Sequence, residues 1–182
     1  MSGASGTVYG VEALRLLRLT GLYETHLVIS PSAARTLHEE TDPGLAEVEA
    51  MADHRHAFRD IGAAIASGSF RAEGMLVAPC SARTLGGIAN SLGDNLIVRA
   101  ADVCLKERRR LVLLLRETPL HLGHIERMAD VTRYGAIVMP PVPAFYLRPA
   151  SVAELVTQSV ARALDVLGIE VGELKRWPVG TE

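Results

Sequence analysis

The stretch "GMLVAPCSART" (residues 74–84) decides the fold class. An almost unbroken apolar run passes without a linker into hydroxyl-bearing residues and a helical stretch. That is the pattern of a strand buried on both faces which turns into a crossover helix. "THLVIS" (25–30), "LVLLLRE" (111–117) and "AIVMPP" (136–141) repeat the form, each bounded by Gly, Pro or charge. Helical stretches are predicted between them over 7–20, 32–40, 44–66, 84–107, 119–133 and 151–167. Strands that alternate with helices require right-handed crossovers, and hence a three-layer α/β sandwich around a mostly parallel sheet. No internal repeat, low-complexity tract or linker divides the chain, so one domain over 1–182 is expected.

Composition narrows the function classes. Of the 182 residues 48% are apolar but only 4% aromatic, enough for one core of the small aliphatic kind that fills helix-covered sheets. A net charge of −2 provides no field to draw nucleic acid or an anionic membrane, so basic side chains that matter must act locally. Neither a membrane span nor a signal peptide is read, and two cysteines, Cys80 and Cys104, make no disulfide framework. A soluble cytoplasmic protein is expected. Lys106 and Lys175 are the only lysines among nineteen basic residues, which draws notice to a midchain lysine.

At the start of the chain, "GASG" (3–6) opens the amphipathic stretch "GVEALRLLRLTG" (10–21). A turn at a helix N-terminus presents unpaired N–H groups and the positive dipole end, both of which attract phosphate. Such a turn normally follows a strand, and only Met1 and Ser2 precede it here. A strand upstream of residue 1 is expected; the alternative is a sheet that lacks it.

Three further strand ends carry polar groups. Ser81 and Thr84, after "LVAP", can cap a helix or bond a ligand. Arg116 and Glu117 emerge from "LVLLL" as a pair suited to a salt bridge, a phosphate clamp or a general acid. The proline-stiffened "PPVPAFYLRP" (140–149) presents Phe145 and Tyr146 and suits a cleft wall. Arg99 and Lys106 lie seven residues apart on one helix face, and Arg162 has Asp165 three residues on. Spacing alone favours solvated or locally paired cations at all three. The histidines form no ligand set strong enough for a metal site, and Cys80 reads as a packed thiol rather than a nucleophile.

Taken together and in order, "GASGTVYG", "VIS", "EET", "ASGSF", "APCSARTLGGIANSLGDNLIVRAADVCLKERR", "RETPLHLGHIERM", "MPPVPAFYLRP" and "RALDVLGI…KRW" resemble the flavin prenyltransferases, the UbiX family. The resemblance spans Gly3 to Trp177. It implies a flavodoxin-like Rossmann fold, a dodecamer, and FMN held between subunits. By matching motifs, Gly3, Ala4 and Ser5 would hold the flavin, with Ser30, Ser81, Ala82, Arg83, Thr84 and Arg116 completing its site. Arg99, Lys106, Tyr146 and Arg162 would meet the prenyl phosphate, some of them from neighbouring protomers. Ser5, Glu40 and Glu117 would relay protons or orient the reacting flavin.

The reaction so implied joins the dimethylallyl group of dimethylallyl phosphate to N5 of reduced FMN and closes a ring onto C6, without a metal ion. Prenylated FMN then serves a UbiD-type decarboxylase. Two other readings remain. A non-catalytic flavin carrier is one. The other is an FMN-dependent cysteine decarboxylase of the same fold, which would want an Asn after the "AP" strand where "APCSART" has none.

Overall fold

The computed structural model describes residues 1–176; Trp177 and the rest of the chain lie outside them. The elements run α1 (Thr7–Thr20), β1 (His26–Val28), α2 (Pro31–Glu40), α3 (Leu45–Glu49), β2 (His54–His56), β3 (Gly74–Cys80), α4 (Ala82–Ala89), α5 (Leu96–Lys106), β4 (Arg110–Leu115), α6 (Leu122–Tyr134), β5 (Ile137–Val138) and α7 (Val152–Leu167). One-turn 3₁₀ helices cover Ala64–Ala66 and Phe145–Leu147. Every strand pairing is parallel: β1 with β2, and β3–β4–β5 in that order.

β4 explains the sandwich. Leu111, Val112, Leu113 and Leu114 are fully buried, and successive side chains point to opposite faces. Leu111, Leu113 and Leu115 pack against Leu85, Ile88, Ile97 and Ala101 of α4 and α5. Val112 and Leu114 pack against Leu16 of α1 and Val160 and Leu164 of α7. Each fully buried leucine is worth about 1.5–3 kcal/mol over exposure, so neither helical layer can leave the sheet cheaply.

Among the described residues, Met1 and Ser2 bridge the gap between β1 and β3. The Met1 nitrogen donates to Val28 O at 2.7 Å, and Ser30 N donates to Met1 O at 3.1 Å. On the other side Ser2 N donates to Pro79 O at 3.1 Å. Below this rung lies a cavity of about 860 Å³, bordered by Leu27, Leu76, Leu14, Ile97 and Leu164.

Three helical expectations are corrected. The predicted helix 44–66 holds α3, then β2, irregular chain and the 3₁₀ turn at Ala64–Ala66. β2 is a polar strand, His-Arg-His, which bonds β1 along one side and needs no apolar run. The predicted helix 84–107 is two helices. "NSLGDN" (90–95) breaks it, with Ser91 and Gly93 at positive φ and Asn95 Oδ1 accepting from Val98 N at 3.1 Å to start α5. The helix predicted from 119 begins at 122, where His121 caps it through Nδ1, 3.0 Å from Gly123 N.

Gly10 brings α1 against the backbone of β3. A Cβ there would strike the Ala78 carbonyl oxygen and come within 2.6 Å of Met1 Cε. Gly10→Ala should therefore lower stability by about 1–3 kcal/mol, although alanine favours a helix. A higher midpoint in chemical denaturation would show that the two elements are not in tight contact.

Candidate functional site

α2 follows β1, α4 follows β3, and α6 follows β4, so all three start at the carboxyl end of the parallel strands. α1 starts beside them because Met1 and Ser2 join its leading turn to β1 and β3. That edge is where ligands collect in open α/β sheets, and it gathers several positive helix ends.

The N-terminus of α1 is already satisfied by an anion, and that anion is a side chain. Gly6, at φ +96°, sits where only glycine is unstrained and turns the chain into the helix. Glu40, the last residue of α2, accepts at Oε2 from Gly6 N (2.7 Å), Thr7 N (3.1 Å) and Thr7 Oγ1 (3.1 Å). The Ser5 side chain also bonds this carboxylate. A carboxylate thus takes the N–H groups that the sequence assigns to phosphate. Burial alone would raise the Glu40 carboxyl, but the bonds from Ser5, Gly6 and Thr7 outweigh it and hold the group below its ordinary value.

The hydroxyls form a second cluster. Ser30 Oγ accepts from Ala33 N at 3.1 Å and caps α2; Ser81 Oγ accepts from Thr84 N at 3.2 Å and caps α4. Ser81 Oγ also donates to Thr84 Oγ1 at 3.2 Å. Ser2, which no motif singled out, ties the turn before α1 to the loop between β3 and α4. Its Oγ accepts from Ser81 N at 2.9 Å and donates to Pro79 O at 3.1 Å. The signal for it was its place next to "GASG", which carries nothing until the fold sets it beside Pro79. Ala82 starts α4 with Arg83 exposed beside it, 3.9 Å from Asp94.

Arg116 leaves β4 beside this cluster. Its backbone N donates to Cys80 O at 3.0 Å, and its Cγ lies 4.0 Å from where a Gly6 Cβ would stand. Among the described residues its Nε is buried and has no hydrogen-bond partner. A buried cationic donor left over beside capped loops fits an anionic or acceptor-bearing ligand, as the phosphate and ring edge of a flavin nucleotide are. Glu117, next along, is half-buried and accepts from Thr118 N at 3.1 Å. Burial pushes the Cys80 thiol up to about 12, which makes it packing and not a nucleophile.

The four residues expected at the prenyl phosphate do not converge within one chain. Arg99 donates to Ala66 O (3.2 Å) and Asp102 (3.1 Å), and Lys106 pairs with Glu107 beside Gly68. Arg162 pairs with Asp165 on α7, in the helical layer across the sheet from α5. Tyr146 lies in the exposed turn Phe145–Leu147. Within the chain the cations therefore have the local partners their spacing suggests.

Comparison with known proteins follows this geometry. The Flavoprotein family profile matches residues 1–163. The flavin prenyltransferase UbiX of Escherichia coli K12 is 54% identical over 179 residues, 97% of this chain and 95% of that protein. The crystal structure of AnUbiX (PadA1) in complex with FMN and dimethylallyl pyrophosphate superposes with a TM-score of 0.96 at 49% identity, covering 100% of this chain and 96% of that one. A dodecameric FMN-dependent UbiX-like decarboxylase from Escherichia coli O157:H7 gives 0.94 at 45%, covering 98% and 100%.

Glu40→Gln should cost on the order of 1 kcal/mol, the usual worth of a helix cap. Because the folded carboxyl is depressed, the contribution is complete above the ordinary glutamate value of 4.5 and is lost as pH falls through the lower folded value. The stability gap between native and variant protein should thus close on acidification. A gap that stays constant down to acid unfolding would contradict the cap.

Proposed function

The chain belongs to the Flavoprotein family and, within it, to the UbiX flavin prenyltransferases, and from this we propose that it joins the dimethylallyl group of dimethylallyl phosphate to N5 and C6 of reduced FMN. The observation that carries the reading is the unpaired, buried Nε of Arg116 beside the Ser2–Ser81–Thr84 hydroxyls and the Ser5–Glu40 pair. Residues Gly3, Ala4, Ser5, Ser30, Ser81, Ala82, Arg83, Thr84 and Arg116 would hold the flavin, within one flavin-binding domain over 1–182. Reduced FMN supplies the two nucleophilic positions.

The chain's own residues supply binding, charge and proton handling. Arg116 offers a donor in a site where burial strengthens it. Ser5 bonds the Glu40 carboxylate, which fixes its hydroxyl and would provide a path for a proton. Glu117, emerging from β4 next to Arg116, is a second carboxylate for that role. Cleavage of the allylic C–O bond leaves charge on the departing phosphate, which Arg99, Lys106, Tyr146 and Arg162 would stabilise. Because α5 and α7 sit in opposite layers, those four come together only if neighbouring protomers contribute them. Exposed Leu122, Val142, Phe145 and Val152 along 120–152 offer apolar surface for such packing. We therefore read the assembly as a dodecamer like its relative, and the recipient of prenylated FMN as a UbiD-type decarboxylase. No helix among the described residues is long and apolar enough to cross a membrane. With both cysteines unpaired and buried, a cytoplasmic setting is proposed.

Incubation of the protein with reduced FMN and dimethylallyl phosphate should give a product heavier than FMN by one prenyl group, and a parallel run with the diphosphate ranks the donors. Glu117→Gln should slow product formation while FMN stays bound. Return of unchanged FMN from both donors would leave a flavin carrier. Light scattering should report a mass near twelve chains; a monomer would remove the shared phosphate clamp.

A further inference from the structure

At the opposite end of the sheet from the flavin loops, the amino ends of β1 and β2 bring together groups that lie far apart in sequence. His26 and His54 are the first residues of the two strands and are direct partners in the parallel register. His56, two residues on in β2, shares their face, and Glu24 precedes His26 by the same interval. Glu24 Oε1 lies 3.1 Å from His26 Nε2 and 2.9 Å from His54 Nε2. The three ligand atoms all fall within 4.8 Å of one another.

We propose that Glu24, His26 and His54 form a binding site for a divalent cation of the zinc class, which clips β2 to β1. Two imidazoles and one carboxylate suit a borderline ion such as Zn²⁺ rather than Mg²⁺ or Ca²⁺, and three protein ligands leave a fourth position for water. Bond lengths of about 2.0–2.1 Å around a tetrahedron set ligand atoms roughly 3.3 Å apart, so two of the three edges already stand within a few tenths of an ångström of that spacing.

Two further features hold the cluster ready. His26 Nδ1 is 2.9 Å from His56 Nε2, so when an ion takes Nε2 the ring proton moves to Nδ1 and finds an acceptor in His56. Metal-bound histidines are oriented in this way by an acceptor behind them. The two ligand-bearing segments are also clamped to each other. Asp53 Oδ2 accepts from Thr25 N (2.8 Å) and Thr25 Oγ1 (2.7 Å), Asp53 N donates back to Thr25 Oγ1 (3.0 Å), and His54 N donates to Thr25 O (2.9 Å). Phe70 stands edge-on to His26 at 5.0 Å and walls one side. Glu24 and His54 are exposed, so the ion has an entry path. β2 has three rungs of pairing and covers little apolar surface, which makes it the element that gains most from a clip.

The proposal does not depend on the prenyl-transfer reading. Its test is equilibrium dialysis of the full chain against ZnCl2, with CoCl2 as a visible-absorption probe of the ligand set. One ion per chain is expected, with cobalt bands of a four- or five-coordinate nitrogen and oxygen site and a melting temperature that rises with zinc. Glu24→Gln and His54→Gln should each weaken binding tenfold or more and abolish the zinc-dependent rise. His56→Gln should weaken it by about 10–100-fold through the loss of orientation. His38→Gln, an exposed histidine on α2, should bind as the native chain does. Failure to retain zinc, or equal affinity in the native, Glu24→Gln and His54→Gln proteins, would overturn the site. Circular dichroism of each variant separates lost ligation from lost folding.

Discussion

β3 and β4 run parallel and are largely buried on both faces, and the polar groups of the candidate site are arranged around that constraint. A parallel pair cannot be closed by a tight hairpin, so each strand must send its chain across a helical layer before the next begins. The loops that leave the strands therefore emerge at one edge, and so do the starts of α2, α4 and α6. Ser30, Ser81, Thr84, Arg116 and Glu117 share that edge for this reason, although up to 87 positions separate them in the chain. The alternation of β4 side chains between two helical layers keeps the edge from shearing.

At the edge, electrostatics sorts the positions. The α1 terminus is neutralised from within by Glu40, which ties the end of α2 to the turn before α1 and leaves Ser5 oriented by a carboxylate. The α2 and α4 termini are capped by neutral hydroxyls and so keep more of their positive character. Arg116 adds a full charge whose Nε no described residue satisfies. Glu40 and Glu117 thus stand against Arg116 and several positive helix ends, a balance that suits a ligand bringing its own negative charge.

The residues proposed for the prenyl phosphate obey a different rule. Arg99, Lys106 and Arg162 each lie on a helix surface within reach of an acidic neighbour, which is how an isolated chain keeps exposed cations at low cost. Exchange of those neighbours for a phosphate needs a second set of side chains close by, and opposing layers of one sandwich cannot provide it. The Glu24–His26–His54 cluster lies at the other end of the sheet, built by the β1–β2 register and the Thr25–Asp53 bonds.

The strand runs at 74–80 and 111–117, helix α1 with its glycine end, and helix α7 were all legible in the sequence, because long periodic or unbroken apolar segments report burial directly. The family, too, was legible in motifs such as "GASGTVYG" and "RETPLHLGHIERM". β2 was not, since a short polar strand at a sheet edge has no burial pattern to display; nor was the break at "NSLGDN", where two amphipathic helices share one phase of apolar residues. The sequence by itself determined which segments must be buried and which loops follow them. Only the tertiary structure decided that Glu40 rather than phosphate fills the α1 terminus, that Ser2 joins two loops, and that His26 meets His54, because each depends on distances between segments that no local pattern encodes.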